Sequence, residues 1–517
     1  MKDTLKQEIS RYLDAGFPIL YINTFEEEKT EKIICRAADR RTILHWSMAQ
    51  GYGEYEAKTG EWLVPPGTQL FATSAPEGVT ADARSILAQV IKQKLLSPKE
   101  LARTVLLIKD AHILLEDGAF VASLKELAVR ISGGLDCCVI LMTPKMSIPV
   151  ELEKFITILD SDYLSFESIC QIIGDFVKDN ELPPLPTHLL EEMAVAFKGL
   201  TEFEINNILA LAVAEDGNLS RRDLQLIFEL KRQMILKSGI LEMVPGNESI
   251  EDIGGLENLK QWLRRKARII QNIKRAEAYG VDMPKGVLIA GVPGCGKSLC
   301  AKAAAKLFEV PLLRLDIGKL MGKYLGESEA NLRKAIQLAE AISPCVLWVD
   351  ELEKAFGGVG SDNRHEVTSR LFGSFLTWMQ EKKDATFVVA TANDITKLPP
   401  ELLRKGRFDE IFYVGLPKEE ERRNIFRIHI QKRRPKDLPA IDISRLVSQT
   451  GGYSGADIEG IVKEGVELAF AEDKAALSTQ DILTAIRGTN SLSIIMKDQI
   501  DKMEEEFKKR KLKNASL

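Results

Sequence analysis

The stretch Gly291-Val292-Pro293-Gly294-Cys295-Gly296-Lys297-Ser298 constrains this chain more than any other feature. It is a phosphate-binding loop, with glycine at its first and sixth positions and then lysine and a hydroxyl residue. The glycines let the backbone curl until successive N–H groups face inward and form a nest for an anion. Lys297 can reach the β- and γ-phosphates, and the Ser298 hydroxyl can ligate Mg²⁺. The apolar run Gly286–Ala290 before the loop predicts a strand, and the Ala/Lys/Leu-rich stretch from Leu299 to Phe308 predicts a helix. Strand, loop and helix in that order mark an α/β fold. A glycine-rich turn with an incidental lysine would not need that setting.

The 517 residues suit three or four domain-sized units, and 45% hydrophobic with 28% charged residues is an ordinary globular balance. A net charge of −5 implies no general field for nucleic acid or membrane, so no nucleic-acid partner is expected. The polar start, Met1 to Lys6, predicts no signal peptide, and no apolar run is long enough for a membrane span. Cysteines at 35, 137, 138, 170, 295, 300 and 345 show no CxxC spacing. They read as reduced core fillers in a cytosol-like compartment. Cys295 stands apart, because a helix N-terminus favours thiolate. It is read all the same as an ordinary small loop residue.

A second apolar run, Cys345–Val349, ends in Asp350 and Glu351. That suits a buried parallel strand delivering carboxylates at its C-terminal end. Asp350 is expected to hold hydrated Mg²⁺, and Glu351 to activate the attacking water as general base. A third run, Phe387–Ala392, ends in Asn393, whose amide can bond the water or the γ-phosphate. Arg404 and Arg407, three apart, would share a face if their stretch is helical, and arginine suits spreading phosphoryl charge. Taken alone they could be ordinary surface charges.

Together these motifs resemble the AAA ATPases, the group that includes katanin, spastin, FtsH and the proteasomal ATPases, over residues 250 to 480. The resemblance implies ATP and Mg²⁺ as ligands. Asp252-Ile253-Gly254-Gly255-Leu256 looks like the segment that wraps adenine, with Ile253 and Gly254 in contact. Met283–Gly286 leads into the phosphate loop, Gly291 to Leu299, in the family's manner. Asn393 falls at the sensor position, and Arg404 and Arg407 at the paired fingers that act on a neighbouring subunit's nucleotide. The segment around Gly455 and Ala456 looks like the start of the lid helix that contacts base and ribose. A homo-oligomer, a hexamer in the family's manner, is therefore implied. Cys295, Lys405 and the Ala392-Asn393-Asp394 segment depart from the common pattern without removing a catalytic group. In the loop Gly318 to Ser328, Lys323, Tyr324 and Leu325 stand where the family grips extended polypeptide in a central channel. An aromatic on a glycine-flanked loop is odd for pure packing, although a packed tyrosine is the alternative.

The first half echoes the second. Ile19–Asn23 stands for the first strand, and Thr24 to Thr30 takes the phosphate-loop place, keeping only Lys29-Thr30. Glu26, Glu27 and Glu28 should repel phosphate there. Val105–His112 stands for the acid-bearing strand, with Ala111 at the base position, and Val139–Thr143 for the sensor strand. The finger positions fall near Lys154 and Thr157, without arginine, and Gly199–Ile205 echoes the lid motif. An unrelated α/β adaptor is the alternative. Residues 62–86 read as an extra loop.

The expected fold is thus α/β: a P-loop AAA module with helical lid, preceded by a degenerate AAA-like module with its own lid. The expected boundaries are a degenerate module at 1–164, a lid-like region and linker at 165–245, a large subdomain at 246–415, a lid at 416–496 and a charged tail at 497–517. The linker is placed near Met243–Asn247, and the tail is read as a solvated helix, with a partner-binding tail as the alternative. Arg264-Arg265-Lys266, beside Trp262 and Ile269, reads as a helix surface at a subunit contact. His365-Glu366 begins a zinc-protease motif, but Ser369 ends it. The whole arrangement resembles poorly characterised AAA proteins of cyanobacteria and algal plastids, which implies cytosol or stroma. Mg²⁺-dependent ATP hydrolysis by a ring that remodels a protein partner is the function implied. The alternatives are a nucleotide-gated scaffold and an activase of one enzyme without threading.

Overall fold

The computed structural model describes residues 4–24, 26–47, 51–56, 61–63, 101–144, 148–160, 163–237, 239–246, 248–320, 327–355, 373–404 and 406–517. They form two units, Met1–Leu164 with Thr201–Asn207, and Ser165–Leu200 with Ile208–Leu517. Lys323, Tyr324 and Leu325, the zinc-motif-like residues near 365, and nearly all of 62–86 lie outside the described residues.

The first unit is built on β1 (Ile19–Asn23), β2 (Thr42–Ser47), β3 (Gly51–Glu56), β4 (Glu61–Leu63), β5 (Thr104–Ile108), β6 (Cys137–Thr143) and β7 (Ile156–Asp160). The sheet order is β4-β3-β2-β5-β6-β1-β7. Its central strands are apolar without alternation because both faces are covered. Ile19, Tyr21, Leu106 and Val139 enter one core, and Leu20, Ile22, Val105 and Ile140 the other. Helix α1 (Glu27–Ala37) follows β1 and buries Thr30, Ile34 and Ala37. Helix α2 (Glu202–Asp216) enters this unit through its first turn.

The second unit is built on β8 (Leu241–Val244), β9 (Gly286–Gly291), β10 (Leu312–Leu315), β11 (Cys345–Val349), β12 (Thr386–Ala392), β13 (Glu410–Val414) and β14 (Lys513–Asn514). The order is β14-β13-β9-β12-β11-β10-β8. Helix α3 (Glu257–Ile270) buries Leu259, Trp262, Leu263, Ala267 and Ile270, the stripe of an amphipathic helix. Trp262 meets Phe387 and Phe412 at ring distances of 6.1 and 5.8 Å. Lys266 of the basic cluster pairs with Asp409 at 3.1 Å within the same chain. Helix α4 (Lys297–Phe308) follows β9. The lid packs α5 (Glu419–Arg433) and α6 (Gly455–Ala471) around Phe426, Ile430, Ile458, Ile461 and Ile482. Ser454 and Asp457 cap α6 reciprocally, at 3.2 and 2.8 Å. Such a cap is worth about 1 kcal/mol.

The two sheets repeat one plan. Five parallel strands run β2-β5-β6-β1-β7 in one and β10-β11-β12-β9-β13 in the other, where β14 adds to β13 in parallel. In sequence order each reads second, third, fourth, first, fifth. The register repeats as well: Thr104 faces Cys137 as Cys345 faces Thr386, and Ile19 faces Val139 as Gly286 faces Val388.

That register corrects two expectations about the first half. The residues just after β5 are Lys109 and Asp110, and those just after β11 are Asp350 and Glu351. Asp110 and Glu351 share the left-handed backbone, with φ of 52° and 50°. So Asp110, not Ala111, holds the base position, and Lys109 stands where Asp350 does. The connection from Asn23 to Glu27 is also shorter than that from Gly291 to Lys297. Lys29-Thr30 therefore lies inside α1 and not at the loop's end.

Three further segments differ from the sequence reading. The stretch read as linker begins in a strand, since Met243 and Val244 belong to Leu241–Val244, which pairs antiparallel with β10. The tail is not a free helix. Helix α7 (Lys497–Arg510) buries Ile500 and Met503, Phe507 stacks on Tyr413 at 4.4 Å, and β14 pairs with β13. Arg404 and Arg407 do not lie on an α-helix either. A 3₁₀ turn, Pro400–Leu403, ends at an extended Arg404, so the two arginines share no helix face.

Candidate nucleotide site

The site sits at the C-terminal ends of β9, β11 and β12, where a parallel sheet opens between strand ends and helix starts. Gly294 and Gly296 turn with φ of 73° and 86°, and α4 begins at Lys297. Lys297 is 6% exposed and donates through Nζ to the carbonyls of Gly291 and Val292, both at 2.8 Å. Burial lowers its pKa to about 8. The pull of nearby acids, Glu353 and Asp350 among them, is too weak to offset that burial.

Ser298 Oγ donates to Asp350 Oδ1 at 3.3 Å. A hydroxyl and a carboxylate, both hard oxygen donors, suit Mg²⁺. Glu351 Oε1 accepts from Asn393 Nδ2 at 3.2 Å, and its other oxygen pairs with Lys354. The strained backbone of Glu351 places its carboxylate beside Asn393. These groups share a cavity of about 370 Å³ with Ile253, Gly254, Gly294, Cys295, Gly296, Leu299, Gly455 and Ala456. Gly291 and Val292 support the loop from behind, and Pro293 lines a neighbouring cavity with Met496 and Lys502. Arg404 and Arg407 do not line the cavity; Arg407 bonds the Glu401 carbonyl.

Cys295 does not follow the helix-end expectation. Burial pushes its thiol up to about 11, and Lys297 only partly offsets this. It is protonated near neutrality, as befits an ordinary loop residue.

Three contributors escaped the sequence reading. Thr391 Oγ1 donates to Asp350 Oδ1 at 2.5 Å and accepts from the Glu351 N–H at 3.1 Å, so one hydroxyl sets both acids. Its signal was a hydroxyl inside an apolar strand, two residues before its polar end. His429, on α5, lines the far end of the cavity with Asp252 and Glu459. Its Nδ1 is buried without a hydrogen-bond partner, 3.9 Å from Glu459. Burial holds its pKa below the usual value against the pull of Glu459. Glu421 accepts from the Leu256 N–H at 3.0 Å, clamping the Ile253–Gly254 segment to the lid. At Gly254 a Cβ would lie 2.8 Å from the Ile425 nitrogen, so only glycine fits. The lid also touches the phosphate loop directly, through Ala456 N–H to the Gly294 carbonyl at 2.9 Å.

Residues 287–416 match the ATPase family associated with various cellular activities (AAA), and 440–484 match an AAA+ lid domain. Residues 5–161 and 167–238 match the N-terminal and second domains of SpoVK-like AAA ATPases. The chain is 38% identical over 509 residues to an uncharacterized AAA domain-containing protein, ycf46, of Guillardia theta, covering 98% of this chain and 95% of that protein. It is 35% identical over 516 residues to the protein of that name in Pyropia yezoensis, covering 99% of each. To the human ATPase family gene 2 protein homolog A it is 36% identical over 237 residues, 44% of this chain and 26% of that protein.

Proposed function

The chain belongs to the AAA ATPases, and from that premise we propose that it hydrolyses ATP with Mg²⁺ as a homo-oligomeric ring, hexameric in the family's manner, that remodels a protein partner. The observation that carries the chemistry is the convergence of Lys297, Ser298, Asp350, Glu351 and Asn393 on one cavity that the lid also lines.

Lys297 and the inward N–H groups of the loop hold the polyphosphate. Ser298 and Asp350 would hold Mg²⁺, and the cation would supply charge neutralisation on the phosphate oxygens. Glu351 takes the proton of the attacking water while Asn393 orients it. Thr391 is a positioning residue for both acids. Ile253, Gly254, His429 and the start of α6 frame the base and ribose. Arg404 and Arg407 lie outside the cavity of their own chain, which fits a role on a neighbour's nucleotide. Lys323, Tyr324 and Leu325 would meet the polypeptide. Among the described residues no helix is long and apolar enough to cross a membrane, and we place the protein in the cytosol or stroma.

Glu351→Gln should bind ATP and hydrolyse it very slowly, whereas Lys297→Ala should lose binding itself. Normal turnover in Glu351→Gln would remove Glu351 as base. The Gln variant, loaded with ATP, is also the trap with which to isolate the partner. Tyr324→Ala should keep ATP hydrolysis and lose partner turnover; full turnover would mean that nothing is gripped there.

A further inference from the structure

The degenerate site of the N-terminal module is filled by the chain itself. At the place of the phosphate loop, Glu26 Oε1 accepts from the Glu202 N–H at 2.7 Å, at the first residue of α2. Its other oxygen pairs with Lys29 at 3.2 Å. Thr24 Oγ1, buried, receives the Glu26 N–H at 3.0 Å and the Thr30 hydroxyl at 3.2 Å, which fixes the turn that aims Glu26. In the ATPase module the same connection is a direct backbone bond, Ala456 N–H to Gly294 O. In the N-terminal module a carboxylate does this, at a helix start and beside an ammonium group, where an anion is favoured electrostatically.

The cation place is filled too. Lys109 stands where Asp350 stands by strand register, so the charge at that point is reversed. Its ammonium pairs with Glu31 of α1, and the two side chains are only 12% and 11% exposed. Glu27 and Asp110 lie in the same field: burial and then Asp110 raise the Glu27 pKa, and Lys109 opposes them. The Lys109 ammonium thus stands among carboxylates that would otherwise repel one another.

We propose that Glu26 and Lys109 are built-in substitutes for a bound phosphate and its cation, so that this module keeps its loop joined to the start of α2 with no nucleotide. Such a substitution is independent of what the ATPase acts upon. It explains why a module that has lost its loop glycines keeps the sheet plan of an ATPase: the ligand's electrostatic work is done by side chains.

The test uses the full chain carrying Lys297→Ala, so that the second site binds no ATP, and reads amide hydrogen exchange at Glu202. Glu26→Ala should speed that exchange at least ten-fold, and millimolar inorganic phosphate should slow it again by refilling the place. If that variant does not fold, Glu26→Gln carries the same test, because it removes the charge and keeps an acceptor; about three-fold faster exchange, reversed by phosphate, is expected. Unchanged exchange, or acceleration that phosphate does not reverse, overturns the anion half. So does slowing of Glu202 exchange by Mg·ATP in the chain with Glu26 intact. For the cation half, Lys109→Ala should make the melting temperature rise with millimolar Mg²⁺, and the parent chain should not respond. A variant as indifferent to Mg²⁺ as its parent overturns it.

Discussion

Thr391 stands between the two acids of the site, and one hydroxyl bonds both Asp350 and the Glu351 N–H. Thr391→Val keeps the shape and leaves those groups short of a partner, so stability should fall by about 1–3 kcal/mol. Turnover should fall with it while ATP affinity changes little, a pattern that melting and steady-state kinetics together resolve. Lys297 gives a pH prediction. Its folded pKa is lowered to about 8 in the nucleotide-free chain, so above that pH the amine is largely neutral. Polyphosphate favours the ammonium form, so binding should take up a proton there, and affinity should weaken as pH rises. Calorimetry in buffers of different ionisation enthalpy measures this uptake, and equal binding heats in all buffers above pH 8 would contradict it. The acids, the lysine and the glycines were legible in the sequence because phosphate chemistry demands those residue types at fixed spacing. Thr391 and His429 were not, since a threonine in a strand and a histidine on a lid helix acquire meaning only from what faces them across the fold.

At the scale of elements, strand ends were legible wherever an apolar run stopped at polar residues, as at Val349 and Ala392. The one-residue offset at Lys109-Asp110 was not, because residue type alone does not carry the hydrogen-bond register that fixes facing residues. The tail misled for a different reason. Its Glu–Lys pattern is that of a solvated helix, and the few residues that dock it are spread among charges. Ala515 is fully buried and its carbonyl accepts from the N–H groups of Asn258 and Leu259 at 3.0 and 3.2 Å. Phe507→Ala should therefore cost about 1–3 kcal/mol through the lost stack on Tyr413, read as a lower melting temperature. A free helix would show no change.

At the scale of the whole molecule, one chain carries two sheets of the same strand order, and only the second keeps the chemistry of the loop. Full-length Lys297→Ala should accordingly bind no ATP at all, and a remaining tight site in calorimetry would place a working pocket in the first half. If Arg404 and Arg407 act across subunits, mixing Arg407→Ala with Lys297→Ala protein should restore turnover, since each supplies what the other lacks. Such arginines are worth about 10³–10⁵ in rate elsewhere. Full activity in a strict monomer would contradict the cross-subunit role. The repeat was legible because the order of weak echoes was right even where single positions were not. The edge strand β14 has a consequence for biosynthesis. Every strand of the first sheet lies between Ile19 and Asp160, so that sheet can close while the rest is still being translated. The second sheet draws on Leu241–Val244 at one border and Lys513–Asn514 at the other, so it stays open until its last strand clears the ribosome exit. A nascent chain stalled before Lys513 should hold a protease-resistant first half beside an ATPase whose β13 border is still bare.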